Sequence, residues 1–166
     1  MGSEIERKFL LKNHSWREKC LQLPKEMIQG YFPKVPGGPT VRVRVAGDRA
    51  FITVKGRGKG VESLVRSEFE YEIPVSEARA MLDEFCGSRI VEKKRHLVPA
   101  GDGLVWEIDE YFKLNAGLFT AEIELPSPET PFEKPAWLGK EVSGDPRYSN
   151  GSLSSKPFTL WEDQDE

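Results

Sequence analysis

Apolar and charged residues alternate at period two along much of this chain. The clearest run is Thr40-Val41-Arg42-Val43-Arg44-Val45-Ala46, which sends valines to one face of a strand and arginines to the other. The same pattern, punctuated by turn signals, predicts eight strands, at about 3–11, 26–33, 40–46, 49–56, 66–73, 90–98, 104–111 and 118–125. Pro36-Gly37-Gly38-Pro39, Gly47-Asp48 and Gly101-Asp102-Gly103 separate neighbours. One stretch changes to helical period, 75–86, where Ser76 can cap the start, Ala78, Met81, Leu82 and Phe85 recur, and Gly87 ends the run. A shorter helix is expected near 13–21, and short helical turns around 135–141 and 148–155 after a Pro-rich connection. Eight short strands with few helices predict a mainly β (α+β) fold, a closed eight-stranded antiparallel β-barrel with peripheral helices. Closure removes the sheet edges, and a barrel of this strand number can hold one small ligand.

Composition narrows the class. The 166 residues are 38% apolar and 31% charged, so the chain is globular with a high charge load. The expected organisation is one domain over 1–161 and an acidic, fraying tail over 162–166. A net charge of −3 argues against a nucleic-acid or membrane-surface partner. Two cysteines, Cys20 and Cys86, and two histidines fit neither a disulfide scaffold nor a thiolate or His-rich metal site. With no apolar leader or spanning run, the expected location is cytoplasmic, as a monomer or homodimer. The loop Gly-Arg-Gly-Lys-Gly at 56–60 lacks the ending and following helix of a phosphate-binding loop.

The charges are sorted by strand. Glu4, Glu6 and Lys8 share one face of the first strand; Arg42 and Arg44, Lys55, Glu68, Glu70 and Glu72, Lys93 and Arg95, Glu107 and Asp109, and Glu122 and Glu124 each keep one parity on theirs. Solvated faces usually mix signs, because like charges repel. Here carboxylate-rich strands stand apart from strands rich in Lys and Arg, as a charged cavity requires. Carboxylates are hard oxygen ligands suited to Mg²⁺ or Mn²⁺, whereas Arg and Lys suit phosphate oxygens. The pattern therefore points to a polyanion bound with its metal. Trp16, Trp106, Trp137 and Trp161 read as packing residues, His96 and Cys86 as structural, and Glu141 and Asp145 as solvated surface.

Glu4-Ile5-Glu6-Arg7-Lys8 resembles the ExExK signature of the CYTH superfamily, the triphosphate tunnel metalloenzymes. The resemblance continues in order through Gln29-Gly30-Tyr31, Val41-Arg42-Val43-Arg44, Thr53-Val54-Lys55, Glu68 to Glu72, Val91 to Arg95, Ala121-Glu122-Ile123-Glu124, Lys140-Glu141-Val142 and Arg147-Tyr148-Ser149-Asn150. It implies an eight-stranded tunnel that hydrolyses or cyclises a linear triphosphate with a divalent metal. On that resemblance Glu4, Glu6, Glu122 and Glu124 are the metal carboxylates, assisted by Glu68 or Glu70. Lys8, Arg42, Arg44, Lys55, Lys93 and Arg95 form the phosphate cradle. Lys8 or Lys55 orients or activates the attacking water, and Tyr31 sits where short bacterial members carry a tyrosine near the tunnel. Trp137 to Leu153 resembles the C-terminal plug, although Gly151 stands where some members place a lysine. The expected activity is metal-dependent hydrolysis of inorganic tripolyphosphate. The alternatives are a class IV type adenylate cyclase and a non-catalytic polyphosphate- or nucleotide-binding module.

Overall fold

The computed structural model describes residues 5–56 and 67–162. Its nine strands are β1 (Ile5–Leu11), β2 (Lys25–Tyr31), β3 (Thr40–Ala46), β4 (Arg49–Lys55), β5 (Glu68–Ile73), β6 (Ile90–Gly101), β7 (Leu104–Tyr111), β8 (Phe119–Leu125) and β9 (Leu138–Glu141). The ladders of known register are antiparallel. The two α-helices are α1 (Val75–Met81) and α2 (Asn150–Ser155). The mainly β class with few helices is as expected. The ninth strand is not: β9 lies in the stretch read as helical turns. Leu138 is buried, Gly139 lies against the Leu10 backbone, and Arg7 grips Glu141 through a two-pronged ion pair. No helix among the described residues is long and apolar enough to cross a membrane.

The chain divides into two compact units. The first, residues 1–25 and 93–166, contains β1, β7, β8, β9, α2 and most of β6, in the order β6-β7-β8-β1-β9. Alternation sorts its side chains strictly. Phe9, Val98, Trp106, Ile108, Ala121, Ile123 and Leu125 face one way and form a core capped by Trp16, Trp137 and Leu138. His96 is on this face too, against Trp16 and Glu110, in the structural role expected of it. The opposite face carries Glu6, Lys8, Lys93, Arg95, Glu107, Asp109, Thr120, Glu122 and Glu124. Lys93, Asp109, Thr120 and Glu122 are buried on that face, whereas Glu6 and Glu124 are exposed.

The second unit, residues 26–92, orders its strands β5-β4-β3-β2, with the first residues of β6 beside β2. Val43, Val45 and Ala50 form its core with Ala78, Leu82 and Cys86. Those last three residues recur every fourth position, the stripe by which α1 and the wider π-turn that continues it lie on the sheet. The helix starts at Val75 behind Pro74, so the cap expected from Ser76 is not used; Gly87 ends it with a positive φ of 59°. The other face presents Gln29, Tyr31, Arg42, Arg44 and Thr53.

Candidate active site

On the first unit the antiparallel registers set Glu6 opposite Glu124 and Lys8 opposite Glu122. Across the next ladder Glu107 is opposite Glu122. Four carboxylates thus share this face with Lys8. The ammonium of Lys8 lies 3.1 Å from Glu122 Oε1 and donates to the Tyr148 carbonyl at 3.0 Å. Water reaches Glu6, yet its neighbours strip part of its hydration. That loss, followed by the charge and hydrogen bond of Glu122 and the charge of Glu124, pushes its carboxyl up to about 7 against the pull of Lys8. Carboxylates that repel one another so strongly suit a hard divalent cation, which would supply the missing positive charge. Among the described residues no group of three or more His, Cys, Asp or Glu side chains forms a complete metal site, and Glu4 lies outside those residues.

The two cations that β6 places on this face, Lys93 and Arg95, are both held by carboxylates. Lys93 has a fully buried side chain and donates to Asp109 Oδ2 at 2.8 Å and Asn150 Oδ1 at 3.2 Å. Arg95 forks onto Asp109 through Nε and a terminal nitrogen, at 2.9 and 3.0 Å, and reaches Glu107 at 3.2 Å. Burial alone would raise the Asp109 carboxyl, but Lys93 and Arg95 outweigh it and hold it down at about 2. Tyr111 closes the group by donating to Asn150 at 3.3 Å, and burial together with Asp109 pushes its phenol well above the usual range. The segment resembling a plug therefore reaches this face through the Tyr148 carbonyl and the Asn150 side chain.

On the second unit the charged face is held by neutral groups. Arg42 donates to Thr53 Oγ1 at 3.3 Å, and its buried Nε meets no acceptor among the described residues. Arg44 Nε donates to Gln29 Oε1 at 2.9 Å, and Gln29 Nε2 donates to the Tyr31 hydroxyl at 2.9 Å. Lys55 is half-buried, 4.0 Å from Glu68 on the neighbouring strand, and Glu68 and Glu70 are exposed along β5. A buried guanidinium N–H without an acceptor is costly unless an anion supplies one.

The sequence-predicted residues thus fall into two groups. Glu6, Lys8, Lys93, Arg95, Glu122 and Glu124 share one face of the first unit, and Tyr31, Arg42, Arg44 and Lys55 share one face of the second. Glu68 and Glu70 lie on β5 of the second unit. Gln29, Asp109, Tyr111 and Asn150 carry the hydrogen bonding of these faces without having been assigned roles. The available signal was parity: Gln29 alternates with Tyr31, and Asp109 with Glu107, on the charged side of their strands. Glu141, exposed as read, pairs with Arg7, and the half-buried Asp145 pairs with Arg147.

Comparison with known proteins places the chain in a family. An inorganic triphosphatase of Acetivibrio thermocellus is 43% identical over 162 residues, covering 95% of this chain and 97% of its own. The crystal structure of the inorganic triphosphatase NE1496 superposes with a TM-score of 0.71 at 30% identity, covering 93% of this chain and 95% of that one. The PH1012 protein of Pyrococcus horikoshii shares the fold at 22% identity and a TM-score of 0.52, over 76% and 80% of the two chains. The model of the CYTH domain matches residues 2–156, and the chain belongs to that family.

Proposed function

We propose that this protein hydrolyses a linear triphosphate, inorganic tripolyphosphate being the substrate the chain fits best, with Mg²⁺ or Mn²⁺ as cofactor and the cytoplasm as its place of action. The reading rests on one observation, the segregation of charge that the protein itself leaves unbalanced. Partial burial and the neighbouring Glu122 and Glu124 push the Glu6 carboxyl up to about 7, while the buried Nε of Arg42 has no acceptor among the described residues. A divalent cation answers the first need and a phosphate oxygen the second. The 43% identity to a named inorganic triphosphatase supports the same choice.

In this reading Glu6, Glu122 and Glu124, with Glu4, hold the metal, and Glu68 or Glu70 assists. The bound metal supplies neutralising charge to the phosphates and acidifies water. Arg42 and Arg44 take phosphate oxygens, Arg offering planar, directional donors. Tyr31 adds a hydroxyl, and Lys55 a mobile point charge. Lys8, steadied by the Tyr148 carbonyl, orients the attacking water and stabilises charge building on the transferred phosphoryl group. Lys93 and Arg95 contribute through the Asp109 network, which fixes the positive edge of this face.

The decisive experiment is phosphate release from tripolyphosphate, ATP and thiamine triphosphate, with and without Mg²⁺ or Mn²⁺. Metal-dependent release, fastest on tripolyphosphate, is expected, and Arg42→Ala should lower kcat/KM by at least tenfold in a folded protein. Cyclic AMP formed from ATP without phosphate release would overturn the hydrolase reading, and tight binding without turnover would leave a binding module.

A further inference from the structure

The hydrogen bonds of Gln29 have a direction that chemistry dictates. An arginine Nε–H can only donate, so the atom of Gln29 that faces Arg44 at 2.9 Å is the amide oxygen. The amide nitrogen then faces the Tyr31 hydroxyl at 2.9 Å, and because that nitrogen can only donate, the phenol oxygen accepts. Gln29 is completely buried, so no water exchanges for either partner. The phenolic proton is consequently turned away from Gln29. Tyr31 sits directly opposite Arg42, whose buried Nε lacks an acceptor among the described residues. Paired residues thus carry two donors on one face of the sheet.

We infer that Gln29 is a positioning residue that makes Tyr31 a hydrogen-bond donor to a substrate phosphate oxygen. Resting on the triphosphatase reading above, this assigns Tyr31 a definite polarity: it offers a proton to an acceptor-only oxyanion and does not receive one from substrate. Arg44 sets the amide, the amide sets the phenol, and the phenol presents its proton. No side chain that only accepts can do this at position 29. A carboxylate there would keep Arg44 but draw the Tyr31 proton to itself.

A double-mutant cycle of Gln29→Glu and Tyr31→Phe, read as kcat/KM on tripolyphosphate with saturating Mg²⁺, tests the inference. In the native background Gln29→Glu should cost about 10- to 100-fold, the range for a hydrogen bond to a charged group. In the Tyr31→Phe background the same change should cost several-fold less, since only its added charge remains to be felt. Equal losses in both backgrounds would overturn the inference, because charge or packing alone would produce them. Should Gln29→Glu fail to fold, the uncharged Gln29→Met provides a second cycle, with the same coupling expected and additivity again fatal. If the native protein binds tripolyphosphate without turning it over, the triphosphatase reading fails separately, and the cycle is run on calorimetric affinity instead.

Discussion

At the scale of the residue, Asp109 holds the most charge in the least water. Its carboxylate accepts from Lys93 and twice from Arg95, and these cations bring it to about 2 although burial pulls the other way. The folded state therefore releases this proton more readily than the unfolded chain, whose Asp titrates near its ordinary 3.8. Its contribution to stability is present above that value and is lost as pH falls toward 2. Asp109→Asn should destabilise the protein by about 3–5 kcal/mol at neutral pH, because it strands Lys93 without its charge partner. Urea unfolding at neutral pH measures the loss, and repeating it between pH 4 and 2 should show a shallower acid decline than in the native protein. The cations Lys93 and Arg95 were legible from their parity on a strand. Their confinement was not, since the carboxylate that claims them is 16 and 14 residues away and reaches them only through the β6–β7 register.

At the scale of the element, the seat of α1 depends on an absent side chain. A Cβ at Gly30 would come within 2.7 Å of both the Cys86 sulfur and a Leu82 methyl, far inside van der Waals contact. Gly30→Ala should cost about 1–3 kcal/mol by forcing helix and strand apart. The urea midpoint should fall with an unchanged m-value, and Leu82→Ala should relieve part of the Gly30→Ala penalty. The helix itself was readable from its stripe of apolar residues. Its start was not, because a polar cap was sought in Ser76, whereas Pro74, with no side-chain acceptor, stands at the N-cap and Ser76 lies inside the first turn. The missed β9 has a similar cause: four residues are too short for periodicity to register, and Arg7 and Leu10 of β1, not local propensity, hold Glu141 and Gly139 extended.

At the scale of the whole molecule, a modest net charge of −3 conceals a built-in debt of carboxylate repulsion. Relieving it should show as stability. Millimolar Mg²⁺ or Mn²⁺ without substrate is expected to raise the melting temperature by several degrees, as about 2.7 kcal/mol accrues at a hundredfold excess over Kd. Glu122→Gln should lose most of the metal-induced rise. A metal-induced rise of native size in that variant would remove Glu122 from the ligand set. The connectivity that builds the first unit also sets a timetable. The partners of β1 lie far along the sequence: Lys8 reaches its carbonyl across 140 residues, and Arg7 its carboxylate across 134. A ribosome must therefore deliver β8 and β9 before β1 can be gripped from both sides. Such distant pairing folds slowly, so the nascent chain carries Lys8 without Glu122 and the Tyr148 carbonyl until β8 and the segment after β9 have been made.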